Sequence, residues 1–246
     1  MSQFIYDNIG FAESTIAAGT VSGTTFTESA SLEGTEHYSK DMNLSNAVTS
    51  FFTNDTIRFD MGSSQTADVI AFYFTGAETD NIYIYAGSSA TAIGTDIKQI
   101  YTFTSGWNII DLSGTGQYWF IRSMTGYISK MTEIIIGTKY TFDVSFDLNN
   151  KIGEEFGTDI MVSLGGNEYA NKRHDPKTIW NWNWSFISAS MKTSLDDLNA
   201  SVQDYKKFVY YDETNYHYVR MLKPLDFTEV ANNVYSTNIS LREQLA

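Results

Sequence analysis

The sequence predicts an all-β chain of two domains, the second carrying one helix. Three observations carry that prediction. Tyr and Phe each occur 16 times and Pro only 2 times, and enrichment in aromatic and β-branched residues with little proline suits pleated sheets. Apolar and polar residues alternate in short runs, broken at intervals of roughly ten residues by Gly, Ser and Asn turns, which is the pattern of a β-sandwich or jelly roll. A helical period appears once, in the last third of the chain.

Residues 1–29 are rich in Ser, Thr, Gly and Ala and read as an N-terminal arm or first strands. In "TIRFDMG", Ile57 and Phe59 share one face and Arg58 and Asp60 the other, with Gly62 closing the run. "ADVIAFYFTG" is continuously apolar, the mark of a strand covered on both sides. "DNIYIYAGS" sets Ile82 and Ile84 against Tyr83 and Tyr85. "IKQIYTFTSGW", "WNIIDLSG", "GQYWFIRSM" and "ISKMTEIIIGT" complete the first domain, which ends at Gly137. Within them Tyr118, Phe120 and Arg122 lie on one face, and Trp119, Ile121 and Ser123 on the other.

Beyond Gly137, "KYTFDVSFDL" predicts a half-buried strand, with Tyr140, Phe142, Val144 and Phe146 opposite Thr141, Asp143, Ser145 and Asp147. "NNKIGEEFGTD" and Glu168–Lys177 read as polar loops flanking "IMVSLGG". In "IWNWNWSF" the alternation predicts one face of Trp180, Trp182, Trp184 and Phe186, too bulky to stand in solvent. A helix is expected over about residues 190–203: Ser188 or Ser190 can cap it, and Met191, Leu195, Leu198 and Val202 form one apolar stripe. "KKFVYYDE" and "YHYVRMLKPLDFTEV" read as a hairpin through "ETN", and "NVYSTNISLREQL" as a closing strand.

The 29 acids and 16 bases leave a formal charge of -13 with no basic run. Such a surface repels phosphate backbones, so no nucleic-acid partner is expected. The N-terminus lacks a basic start and an apolar core, and no run approaches the length of a membrane span; neither export nor membrane insertion is expected. Absence of Cys removes thiol chemistry and Cys-ligated zinc. His37, His174 and His217 have no metal-ligand spacing, and the paired acids Glu154–Glu155, Asp196–Asp197 and Asp212–Glu213 fall in loops or on a solvated helix face. "GGNEY" lacks the spacing of a phosphate loop. No enzyme activity and no cofactor are therefore expected. Asp41, Asn43, Asn54 and Asp55 could at most hold a structural calcium.

Residues 30–138 resemble the galactose-binding-like (discoidin-type) jelly roll, in the triplet Asp60-Met61-Gly62 and the late strand Tyr118-Trp119-Phe120-Ile121-Arg122. Residues 139–246 resemble the tail-tube-like β domain of tailed-phage virion proteins. The matching features are the Tyr140–Phe146 run, Gly165 and Gly166 before Tyr169, Trp182–Phe186, one helix and the terminal "ISLREQLA". That resemblance implies a non-enzymatic, ring-forming distal-tail or adaptor protein. It would be a hexamer contacting other tail, baseplate or neck proteins, in a virion assembled in the host cytoplasm. The expected interface residues are Tyr140, Phe142, Phe146, Lys172, Arg173, His174, Lys177, Trp180, Leu241 and Arg242. The alternative expectation is a carbohydrate-binding host-attachment protein that takes a surface glycan through Asn54, Asp55, Trp107, Arg122 and Thr125 in the jelly-roll loops.

Overall fold

The computed structural model describes residues 1–6, 13–17, 56–74, 81–89, 99–102, 104–123, 131–148 and 150–244. Their elements are β1 (Gln3–Tyr6), β2 (Glu13–Ala17), β3 (Thr56–Phe74), β4 (Asn81–Gly87), β5 (Gln99–Thr102), β6 (Gly106–Ser123) and β7 (Met131–Thr141). They continue with β8 (Lys151–Val162), β9 (Glu168–Ser188), α1 (Ala189–Val202), β10 (Lys207–Tyr211), β11 (Tyr216–Met221), β12 (Phe227–Ala231) and β13 (Val234–Glu243). The chain divides into two units, one of Ile5–Lys139 and one of Met1–Phe4 with Tyr140–Leu245.

The Ile5–Lys139 unit is an all-β sandwich with strand order β5-β4-β6-β3-β7 and β2 added on β3. Two long strands dominate it. "TIRFDMG" and "ADVIAFYF" join into β3, and "WNIIDLSG" and "GQYWFIRS" into β6. Register shifts between Asp60 and Gln65 and between Ala67 and Val69 interrupt their antiparallel ladder. Side chains from both sides of the interruption, Phe59 and Trp119 on one and Ile70, Phe72 and Ile110 on the other, enter one core with Ile82, Ile84, Ile134 and Ile136. Gly116 lies close against β4, since a Cβ there would be 2.6 Å from the Gly87 amide nitrogen. The indole of Trp119 donates to the Gly116 carbonyl.

In the second unit the order is β1-β10-β11-β13-β9-β8, with β12 on β13. Its core is aromatic. Phe4 meets Phe142, Phe208 and Tyr210 at centroid distances of 4.6, 5.3 and 5.7 Å, and Phe142 and Phe146 pack on Trp184 at 5.3 and 4.6 Å. The helix buries Met191, Leu195, Leu198 and Val202, and the Ser188 hydroxyl accepts from the Met191 amide at its N-terminus.

Three local expectations fail. Regular strand stops at Thr141, so Phe142–Leu148 is not the half-buried strand that its alternation suggests. The Asp147 amide still reaches the Asn183 carbonyl, and the aromatics insert individually. The segments read as polar loops are strands: β8 and β9 pair from Lys151–Asn181 out to Val162–Glu168. Their outer part is exposed on both faces, so neither face needed an apolar alternation. Finally, the register between β13 and β9 shifts between Tyr235 and Thr237, where Ser185 and Phe186 face Ser236 alone. This bulge turns Phe186 out to solvent and Ile187 into the core.

Candidate functional site

Trp107 opens β6 directly opposite Tyr73 near the end of β3. The two rings meet edge to face, with centroids 5.4 Å apart, and both are half-buried. The turn before them is pinned by a buried amide. Asn108 Oδ1 accepts from the Thr104 amide at 2.9 Å, and its Nδ2 donates to the carbonyls of Thr104 and Gly106 at 2.7 and 2.9 Å. Gly106 has φ 97, a left-handed conformation that favours glycine. The result is an aromatic pair on a preorganised strand end. Asn108 is the residue that sequence reasoning missed: a lone Asn in an apolar strand, next to a Ser-Gly turn, was the available signal.

Of the other expected glycan contacts, Asn54, Asp55 and Thr125 lie outside the described residues, as do the proposed calcium ligands Asp41 and Asn43 and the histidine His37. Arg122 stands at the other end of the β3–β6 ladder, in register with Thr56 and with Tyr83 of β4. Among the described residues, no three His, Asp or Glu side chains gather as a metal-holding group. No helix among them is long and apolar enough to cross a membrane.

The expected interface residues divide by burial. Phe142, Trp180 and Leu241 are in the core of their own unit, so their surface is already consumed there. Tyr140 and Phe146 are half-buried. Burial, followed by the nearby Asp143 charge, pushes the Tyr140 phenol up to about 12. Two cations of the basic stretch are already paired: Lys172 with Asp175 within it, and Arg173 with Asp159 of β8. The His174 ring lies over Gly157, where a Cβ would come within 2.5 Å of it. Arg242 and Lys177 belong elsewhere, near Glu155, which bonds Arg242 at 2.6 Å and faces Lys177 in register.

A second feature is a polar notch of about 270 Å³ lined by Asp147, Asp226, Asn183, Asn238 and Ser236, with the edge of Trp184. Ser185 donates to Asp147 at 2.6 Å, and the Trp184 indole donates to the Val144 carbonyl at 3.2 Å. Two carboxylates, Asp147 and Asp226, line this notch, and no Lys or Arg side chain does.

No protein-family model matches the sequence, and no curated protein matches it. Solved structures do match. One is the CBM32 of AlyQ in complex with 4,5-unsaturated mannuronic acid, at 19% identity and TM-score 0.41, covering 53% of this chain and 95% of that one. Another is chitosan-binding module 1 of a chitosanase/glucanase from Paenibacillus sp. IK-5, at 18% identity and TM-score 0.39, covering 54% and 98%. A third is CpGH89CBM32-5 from Clostridium perfringens in complex with GalNAc-β-1,3-galactose, at 9% identity and TM-score 0.40, covering 51% and 94%. These are carbohydrate-binding modules, not tail proteins. That finding overturns the expected phage tail or baseplate identity, and with it the hexameric ring, the tail, baseplate or neck partners and the virion location. The similarity to these carbohydrate-binding modules covers about half of this chain.

Proposed function

We propose that this chain is a non-enzymatic carbohydrate-binding protein, the second of the two functions expected from its sequence. The observation that carries the reading is the Tyr73–Trp107 pair, half-exposed on a turn that Asn108 fixes with three hydrogen bonds. A pyranose presents a C–H face that packs on an aromatic ring and hydroxyls that bond to nearby polar groups. A ring held in place before the ligand arrives loses little conformational freedom on binding. Trp107 is the proposed stacking residue; Arg122, at the other end of the β3–β6 ladder, is too far from it to touch the same sugar. The ligand class is the one for which the matched modules are named.

The test is retention of the labelled protein on a glycan array. Wild type is expected to bind one family of glycans, Trp107→Phe to keep most of that binding, and Trp107→Ala to lose about tenfold or more. No retention by wild type, or equal retention by Trp107→Ala with an unchanged near-UV spectrum, overturns the proposal.

A further inference from the structure

One face of the second unit concentrates positive charge in a chain whose formal charge is -13. Directly paired residues of an antiparallel sheet lie on the same face. Lys207 of β10 is paired with Arg220 of β11, and Arg220 with Arg242 of β13, so three cations form one row across three strands. Arg242 is in turn opposite Ile179 of β9, and Lys177 is two residues along the same face. Like charges set opposite one another weaken a sheet, so the row calls for an explanation.

The surroundings neutralise it only in part. Arg242 Nη2 bonds Glu155, while its Nε is shut off from solvent and has no hydrogen-bond partner among the described residues. Arg220 donates from Nη1 to the Asp204 carbonyl just past the end of α1, at 2.8 Å. Lys207 Nζ lies 5.6 Å from the centroid of the Tyr218 ring. Lys177 sits below the ordinary lysine value, through burial first and then the charge of Arg242. Glu155 serves both Arg242 and Lys177, leaving more cations than carboxylates. Guanidinium groups in a row offer paired N–H donors that match the oxygens of a carboxylate or sulfate.

We propose that Lys177, Arg220 and Arg242, with Lys207 at the rim, bind an oxyanion, either a free inorganic ion or the acidic group of a charged sugar. The test follows the arginine Nε–H resonances of the full chain during titration with sodium sulfate and, separately, with D-glucuronate. Ionic strength is held constant with sodium chloride, because surface electrostatics are screened by salt. Saturable shifts of Arg220 and Arg242 are expected. The Arg220→Gln/Lys177→Gln variant should bind about tenfold more weakly. Saturation by sulfate alone identifies a site for a free ion, and saturation by glucuronate but not glucose identifies an acidic sugar; both support the oxyanion site. Shifts no larger than the chloride control with either probe, or equal binding by the variant, overturn it.

Discussion

The two halves of β9 share one backbone geometry and little else. From Ile179 to Ser188 the strand pairs with β13, with β8 on its other side only as far as Asn181, and sends Trp180, Trp184 and Ile187 into the core. From Glu168 to Lys177 it pairs only with β8, and most of its side chains are exposed. Opposite that outer half, Phe156, Ile160, Met161 and Val162 are exposed as well, and Leu164 at the turn is fully so. The comparison teaches that strand formation needs backbone pairing, whereas an apolar alternation needs a buried face. Only the inner half meets both conditions.

The largest contrast is expected from cavities. Trp184→Ala removes a buried ring in contact with Phe142 and Phe146 and breaks the bond to the Val144 carbonyl. It should cost about 3–5 kcal/mol in urea unfolding; a loss below about 1 kcal/mol would show that the aromatic core tolerates a void. Next comes the junction where the inner half ends. Ser188→Ala deletes the hydroxyl that accepts from the Met191 amide, and a loss of about 1 kcal/mol is expected by the same measurement.

Two aspartates extend the comparison to pH. Asp212, in the β10–β11 turn, is pushed up by burial, but the amides of Asn215 and Thr214 and the ring of His217 hold it below the ordinary value overall. Its contribution to stability is therefore complete above the ordinary aspartate range and lost as pH falls through the depressed folded value. Asp175, on the exposed half, is also lowered, first by its hydrogen bond to Lys172, yet that pair is solvated and screened. In urea titrations from neutral to acid pH, Asp212→Asn should flatten the acid loss of stability, and Asp175→Asn should leave it unchanged. Equal effects from both would erase the distinction between a packed and a solvated carboxylate. The smallest effect belongs to the turn itself: Leu164→Ser should stay within about 0.5 kcal/mol of wild type.

Legibility along the chain follows the same division. The helix stripe of Met191, Leu195, Leu198 and Val202 is readable because one face of a 3.6-residue period is buried. The alternation of Ile82 and Ile84 against Tyr83 and Tyr85 is readable because β4 has a core side and a half-exposed side. The outer ribbon reads as loop in the sequence because its order comes from β8–β9 hydrogen bonds alone. By alternation alone Phe186 falls with the tryptophans, but one extra residue at a bulge reverses every face beyond it. At the candidate site, Trp107 was visible as an isolated aromatic beside a turn. Its partner Tyr73 reads as one more member of an apolar strand and is set beside Trp107 only by the cross-strand register.

By itself, the amino-acid sequence determined the β-rich class, the helix that carries Met191, Leu195, Leu198 and Val202, and the absence of thiol chemistry, since these depend on composition and on short-range period. Only the tertiary structure decided that β3 and β6 each run through an interruption into one core, that Asn108 fixes the turn under Trp107, and that Lys207, Arg220 and Arg242 stand in a row. The shared core and the cation row join residues distant in sequence through register, which is set by long-range pairing that no local window contains; the bonds of Asn108 are local, to Thr104 and Gly106, and depend on the backbone geometry of the turn.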